Sequence, residues 1–76
     1  MALQLEYTEV GKSTNGKTSI RHVSCNGTML GVIKWYSNWR RYVFYPEINT
    51  LFDAKCLGNI QFYLERMTDA HRSNEE

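Results

Sequence analysis

Residues 18–46 read TSIRHVSCNGTMLGVIKWYSNWRRYVFYP, and this stretch decides the fold. Its Asn26-Gly27 pair accepts the positive φ angles of a type I′ turn, which is the strongest short hairpin signal. The flanking segments 18–25 and 28–36 are rich in residues that favour strands. The stretch therefore predicts two antiparallel strands joined by a two-residue turn.

Ser37-Asn38 predicts a second tight turn, which leads into a fourth strand over residues 39–45. Pro46 ends this strand because it lacks the N–H that a sheet ladder needs. Before the hairpin, apolar and polar residues alternate over residues 3–8, which is typical of a first, half-buried strand. A polar loop over residues 11–17 follows it. Four strands with short connections predict an antiparallel meander.

After Pro46 the apolar residues change to helical spacing, which predicts an amphipathic helix from Asp53 to about Ala70. Its apolar stripe comprises Cys56, Leu57, Ile60, Leu64 and Met67. Thr50 and Asp53 resemble a capping box, or Asp53 is itself the cap. Gly58 costs about 1 kcal/mol relative to Ala inside a helix, so its presence suggests close packing.

The predicted fold class is α+β, a four-stranded antiparallel meander sheet with one C-terminal amphipathic helix packed on one face (ββββα). Residues 1–70 form the single domain, and residues 71–76 form a polar, frayed tail. A chain of 76 residues buries only a thin core.

Both faces of the predicted sheet carry large apolar side chains, yet one helix covers only one face. With two-residue turns, one face carries Ile20, Met29, Gly31, Ile33, Trp35, Arg40, Tyr42 and Phe44. The other carries Val23, Leu30, Val32, Val43 and Tyr45, and becomes basic and aromatic at Arg21, Lys34, Tyr36, Trp39 and Arg41. A contiguous uncovered patch of this kind marks a contact site, so we expect a homodimer or another partner.

Catalytic patterns are absent from the sequence, and we expect no enzymatic activity, no cofactor and no metal site. His22 and His71 belong to no Cys-His or Ser-His-Asp set, and no zinc or phosphate-loop spacing occurs. Cys56 lies on the apolar stripe, which favours a buried thiol over a nucleophile. The two cysteines and the lack of a signal peptide or membrane span predict a cytoplasmic protein.

Aromatic and basic residues interleave between residues 31 and 45, and this segment is the candidate binding site. Rings stack on bases and cations pair with phosphates, so the pattern suits single-stranded nucleic acid or a nucleotide. The net charge of the whole chain is only +1, so it gives no electrostatic argument for binding nucleic acid. The candidate residues are Lys34, Trp35, Tyr36, Trp39, Arg40, Arg41, Tyr42 and Phe44. The alternative is a hairpin whose rings are cross-strand core partners.

Two resemblances bear on this segment. Gly31, Ile33, Lys34, Trp35 and Tyr36, followed by Arg41, Tyr42 and Phe44, resemble the RNA-binding hairpin of cold-shock domains. A wider pattern resembles small uncharacterised proteins of phages and prophages, and it comprises Trp35-Tyr36, Trp39-Arg40, Tyr42, Phe44, Pro46, Phe52, Cys56-Leu57, Ile60 and Leu64. The second resemblance implies a compact accessory protein that acts in the cytoplasm of a bacterial host.

Two functional hypotheses follow from the sequence. The first is a non-catalytic interaction protein of phage type, homodimeric, which occupies a host protein and blocks a host defence. The second is a binder of single-stranded nucleic acid or nucleotide, with Trp35, Tyr42 and Phe44 as stacking surfaces and Lys34, Arg40 and Arg41 on phosphates.

Overall fold

The computed structural model describes residues 5–14 and 16–75, and it confirms the predicted ββββα fold. Leu3, expected in the first strand, lies outside the described residues. The elements are β1 (Leu5–Lys12), β2 (Ser19–Cys25), β3 (Thr28–Tyr36), β4 (Arg41–Pro46) and α1 (Ala54–Glu75). The strands form one antiparallel sheet in the order β1-β2-β3-β4, as expected of a meander.

The two predicted turns have different outcomes. Asn26 and Gly27 have φ angles of 52° and 83°, and the flanking residues pair directly, which confirms the two-residue turn. The second turn occupies residues 37–40, since Tyr36 pairs with Arg41. The prediction that β4 begins at Trp39 was therefore wrong. Because the turn gains two residues, the β4 side chains keep the faces that we expected.

A β-bulge in β3 changes the sheet face to which the side chains of β2 up to Val23 point. Val23 pairs with Gly31 whereas Ser24 pairs with Met29, so Leu30 is the extra residue. As a result Arg21 pairs with Ile33.

The expected assignment of β2 residues to faces was therefore wrong at three positions. Directly paired residues share a face of the sheet, so Val23 and Arg21 lie on the Ile33 face. Ile20, which we expected beside Ile33, lies on the other face because side chains alternate along a strand.

Asp53 is the residue that caps α1. The backbone N–H of Cys56 donates to Asp53 Oδ1 at 2.8 Å, and the N–H of Leu57 donates to the Asp53 carbonyl at 2.9 Å. The Thr50 hydroxyl instead donates to the Glu47 carbonyl at 2.7 Å. Of the two sequence interpretations, the one with Asp53 as the cap is correct.

The helix differs from the prediction at its end and at its glycine. It continues through Glu75, so the polar tail expected from His71 onward begins as helix. A Cβ atom built on Gly58 meets nothing within 4 Å, so the expectation of close packing there was wrong. Close packing occurs instead at Gly31, where a Cβ would lie 2.7 Å from Phe44 ring carbons and would also meet the Tyr45 carbonyl.

The core lies between α1 and the sheet face that carries Val23 and Ile33, both of which are fully buried. Tyr42, Cys56 and Ile60 are the other buried apolar residues, and partly buried side chains surround them. Aromatic contacts extend the core toward β1, where the Tyr7 and Tyr63 rings stack with centroids 3.7 Å apart. The helix therefore covers this face from β1 to β4.

Strand β4 is an edge of the sheet, and two features restrict its outer side. The Tyr42 N–H donates to Thr68 Oγ1 at 3.1 Å, so α1 takes up a donor that faces away from β3. Pro46, four pairs further along, has no N–H to offer. Among the outward-facing positions of β4, only Phe44 keeps a donor that β3 cannot use.

Candidate functional site

The sheet face opposite α1 is the first candidate surface, and we call its apolar centre the apolar band. Val32 pairs with His22 on β2 and with Tyr45 on β4, and Lys34 pairs with Val43. Because paired residues share a face, these side chains lie together on the side that α1 does not cover. The apolar band consists of Ile20, Val32, Val43 and Tyr45.

The members of the apolar band remain accessible to solvent. Tyr45 is 41% exposed, and Ile20, Val32 and Val43 are half-buried. This pattern agrees with neighbouring side chains shielding one another without a second layer from residues 5–14 or 16–75. The structure thus supports the expectation that one sheet face stays uncovered by the described residues.

Next to the apolar band, the end of the β3–β4 hairpin carries a second group, which we call the turn cluster. It consists of Lys34, Tyr36, Trp39, Arg40 and Arg41. The rings of Tyr36 and Trp39 meet edge to face with centroids 5.0 Å apart, and Trp39 is 63% exposed. Lys34 Nζ lies 4.7 Å from the centroid of the Tyr45 ring, which is a cation–π distance.

Hydrogen bonds hold the turn cluster in one conformation. The Arg40 and Trp39 N–H groups both donate to the Tyr36 carbonyl, at 2.8 and 3.2 Å. Arg41 Nε donates to the Trp39 carbonyl at 3.3 Å, and Arg72 Nη2 of α1 donates to the Arg40 carbonyl at 3.2 Å. Two guanidinium groups therefore fix the backbone of the turn beside the exposed indole.

The turn cluster concentrates positive charge. The ion pairs within the described residues join Glu9 to Lys12 and to Arg21, so Lys34, Arg40 and Arg41 have no carboxylate partner there. On the uncovered face, Glu6 lies at the opposite end of the sheet, beside Ser24. The surface therefore runs from a cationic end to an apolar centre.

The eight predicted site residues fall into two groups in the structure. Trp35, Tyr42 and Phe44 face α1: Trp35 packs against Tyr42 and against His71, and Phe44 packs against Phe52. Tyr42 is 6% exposed and its hydroxyl accepts the Ser19 N–H. These three rings are core partners, so the predicted stacking surface built from them was wrong. The other five predicted residues form the turn cluster.

Tyr45 lies in the apolar band, on the sheet face where the sequence placed it with Val32 and Val43. Sequence reasoning did not place two other exposed apolar residues in a site. Ile48 and Leu51 lie in the connection between β4 and α1 and are 86% and 94% exposed. Apolar residues in a segment with neither strand nor helical periodicity were the signal that could have identified them.

Two concave regions lie beside α1. The larger, of about 880 Å³, runs between β4 and α1, and its polar lining combines Glu65 and Asp69 with Arg41 and Arg72. The smaller, of about 390 Å³, contains both Cys25 and Cys56, which are free thiols. Burial, followed by the nearby Asp53, raises the pKa of Cys56 above its ordinary value, which favours the unreactive thiol form.

Within residues 5–14 and 16–75, no group of three His, Cys, Asp or Glu side chains is placed to hold a metal ion. In the same part of the chain, no helix has both the length and the apolar character needed to cross a membrane.

The fold and these surfaces define a small α+β protein with one covered and one uncovered sheet face. The chain is similar to an uncharacterised 9.3 kDa protein of Acholeplasma phage L2, with 35% identity over 43 residues. The match covers 57% of this chain, and the chain spans 55% of the length of that relative. No protein family and no solved structure matches the chain. The similarity supports a relation to phage proteins and carries no activity with it.

Proposed function

We propose that the chain is a non-catalytic accessory protein of phage type that binds a host protein through the apolar band. The observation that carries this proposal is the uncovered sheet face, where Ile20, Val32, Val43 and Tyr45 lie together and the described part of the chain supplies no second layer. A single helix leaves one face of a sheet open, and such apolar patches usually mark protein contacts. Tyrosine at the patch fits the composition of interface centres.

The charges beside the apolar band indicate the chemistry of the partner. Lys34 and Arg41 flank it with no described carboxylate in ion-pair distance, whereas Glu6 is remote from them. A second copy of the chain brings the same excess of cations to the interface. A host protein with an apolar centre and an acidic rim complements this surface better, since opposite charges steer association.

Two further observations support the proposal. The thiol of Cys56 is buried and its pKa is raised, which disfavours its use as a nucleophile. The phage relative supports action inside a bacterial cell, and interference with a host defence is the role that we propose there.

Site-directed photocrosslinking tests this proposal. A photoreactive phenylalanine analogue replaces Tyr45 of the apolar band or, as a matched control, Phe62, which is 61% exposed on α1. Each protein is irradiated in an extract of bacterial cells, and adducts are identified by mass spectrometry. We expect a discrete adduct with one host protein from position 45, none from position 62, and loss of the adduct when Val32→Asp is added.

Two results would contradict the proposal. Identical adducts from positions 45 and 62 would show that the apolar band has no selectivity. An adduct only between two copies of the chain, with a dimer in sedimentation equilibrium, would assign the band to self-association. A circular dichroism spectrum of the Val32→Asp variant checks that loss of the adduct does not result from unfolding.

A further inference from the structure

We propose that the turn cluster binds single-stranded nucleic acid, with Lys34 and Arg41, which also flank the apolar band, among its cations. The site differs from the stacking surface suggested by the sequence, because Trp35 and Tyr42 contact each other and His71 of α1, and Phe44 packs against Phe52. It also differs from the apolar band, because its ring contacts are made by the exposed Trp39 with Tyr36 behind it. The cations of the site are Lys34, Arg40 and Arg41.

The Trp39 ring is suited to stack on an unpaired base. It is 63% exposed, and its edge-to-face contact with Tyr36 at 5.0 Å leaves most of its surface to solvent. Asn38 Nδ2 donates to the Tyr36 hydroxyl at 3.1 Å, which fixes the ring that supports the indole. A ring held in place loses little conformational entropy on binding, so stacking contributes more of its energy to affinity.

Two of the three cations lie on the same face of the sheet as the Tyr36 ring. Lys34 and Tyr36 are two residues apart on β3, and Arg41 lies directly opposite Tyr36, so both charges are on the uncovered face beside the rings. Arg41 donates through Nε to the Trp39 carbonyl, which ties this cation to the backbone beside the exposed indole. None of the three forms an ion pair with a described carboxylate.

The backbone of Arg40 provides an independent observation. Its φ angle is 55°, in the left-handed region that arginine rarely adopts and glycine adopts freely. Two hydrogen bonds maintain this conformation: the Arg40 N–H donates to the Tyr36 carbonyl, and Arg72 Nη2 donates to the Arg40 carbonyl. Strain of this kind is found at functional sites, and here it positions a long cation at the tip of the hairpin.

Single strands fit this site better than duplexes. An exposed indole needs a base face, which pairing and stacking conceal in a duplex, whereas a single strand presents both bases and phosphates. An acidic protein surface would offer negative charge to the cations of the turn cluster, as phosphates do, but it would offer no base to stack on Trp39. The combination of an accessible ring with unpaired cations therefore favours the nucleic acid.

Fluorescence anisotropy with a labelled twelve-nucleotide single-stranded DNA, and the matching RNA, tests the proposal. The full chain is titrated between about 20 and 200 mM salt. With three phosphate contacts, the logarithm of the binding constant should fall against that of salt with a slope of about −2, from about −0.7 per contact. Trp39→Ala should weaken binding about 5- to 150-fold.

Two variants separate the site from general charge effects. Arg40→Gly removes one cation, suits the left-handed backbone and therefore keeps the fold, so it should weaken binding and reduce the slope by about 0.7. Arg66→Ala removes one cation from α1, where Arg66 lies over Phe62, and should leave the affinity within about twofold. Val32→Asp should remove the host-protein adduct but leave the anisotropy change with the labelled oligonucleotide, which distinguishes the two proposals.

The outcomes are decisive in both directions. Salt-dependent binding that Arg40→Gly and Trp39→Ala weaken, with preference over a duplex of equal length, supports the site. Absence of binding at the lowest salt overturns it. Equal binding of single strand, duplex and polyphosphate, unaffected by Trp39→Ala, also overturns it and leaves a surface that attracts any polyanion, acidic proteins included.

Discussion

Replacing Gly31 by alanine should destabilise the fold, whereas the same change at Gly58 should stabilise it. A Cβ on Gly31 would lie 2.7 Å from two Phe44 ring carbons and would also meet the Tyr45 carbonyl. Overpacking of this size costs about 1–3 kcal/mol, and the reduced entropy of the unfolded chain offsets about 0.4–1 kcal/mol. We expect a net loss of about 1–2 kcal/mol.

Gly58 is the matched control because a Cβ there meets nothing within 4 Å and the residue lies inside α1. Alanine at this position should add about 1 kcal/mol through helix propensity alone. Urea unfolding followed by tryptophan fluorescence measures both changes, and for a domain of this size about 1 kcal/mol shifts the melting temperature by about 4–8 °C.

The two glycine variants should therefore shift the urea midpoint in opposite directions with unchanged slopes. A Gly31→Ala variant as stable as the parent chain would refute the close contact between β3 and Phe44. A destabilised Gly58→Ala variant would show that the outer face of α1 is occupied, contrary to the geometry.

Three further perturbations test other contacts. Thr68→Val leaves the Tyr42 N–H without its acceptor and should cost about 1–3 kcal/mol in urea unfolding, whereas Thr68→Ser, which keeps the hydroxyl, should cost less. Arg40→Gly relieves a left-handed conformation, so it should raise the melting temperature while weakening nucleic-acid binding; a lower melting temperature would contradict the proposed strain. Burial, with smaller contributions from Cys56 and Tyr63, raises the pKa of Tyr7 to about 12 from 10.0. As the pH rises, Tyr7 therefore loses its proton in the unfolded chain before it does so in the folded chain. Its contribution to stability is complete below about pH 10 and declines toward pH 12. In urea midpoints measured from pH 9 to 12, Tyr7→Phe should remove this part of the decline.

The elements of the fold could be predicted because local signals determine them. Asn26-Gly27 favours a specific turn chemistry, and the bounds of β3 match its prediction. The change from strand alternation to helical spacing after Pro46 identified α1, since each period reflects the geometry of one backbone form.

The register could not be predicted because it depends on contacts between distant residues. The bulge at Leu30 places the Val23 side chain in the core, and Phe44 lies against Gly31 from the neighbouring strand. Ser37-Asn38 resembles a tight turn, yet the hairpin closes at Tyr36 and Arg41, where Trp39 packs on Tyr36. Neither contact has a signature in a single sequence.

The candidate site was predicted in composition but not in orientation. The interleaved segment contains all five members of the turn cluster, but alternation along β3 and β4 sends Trp35, Tyr42 and Phe44 to the core. Which face a helix covers depends on the volumes of both faces and not on either strand alone. The sequence therefore identified the residues but did not distinguish the exposed rings of the turn cluster from the rings that pack in the core.

The protected edge of β4 has a consequence for how the chain behaves when concentrated. Residues 42–45 read YVFY, an uncharged segment of high strand propensity and the kind that nucleates fibrils when its backbone is free. Thr68 and Pro46 remove two of the backbone donors with which a new strand would pair. Because Thr68 belongs to α1, we expect loss of the helix to expose the β4 edge and to favour strand pairing between copies of the chain.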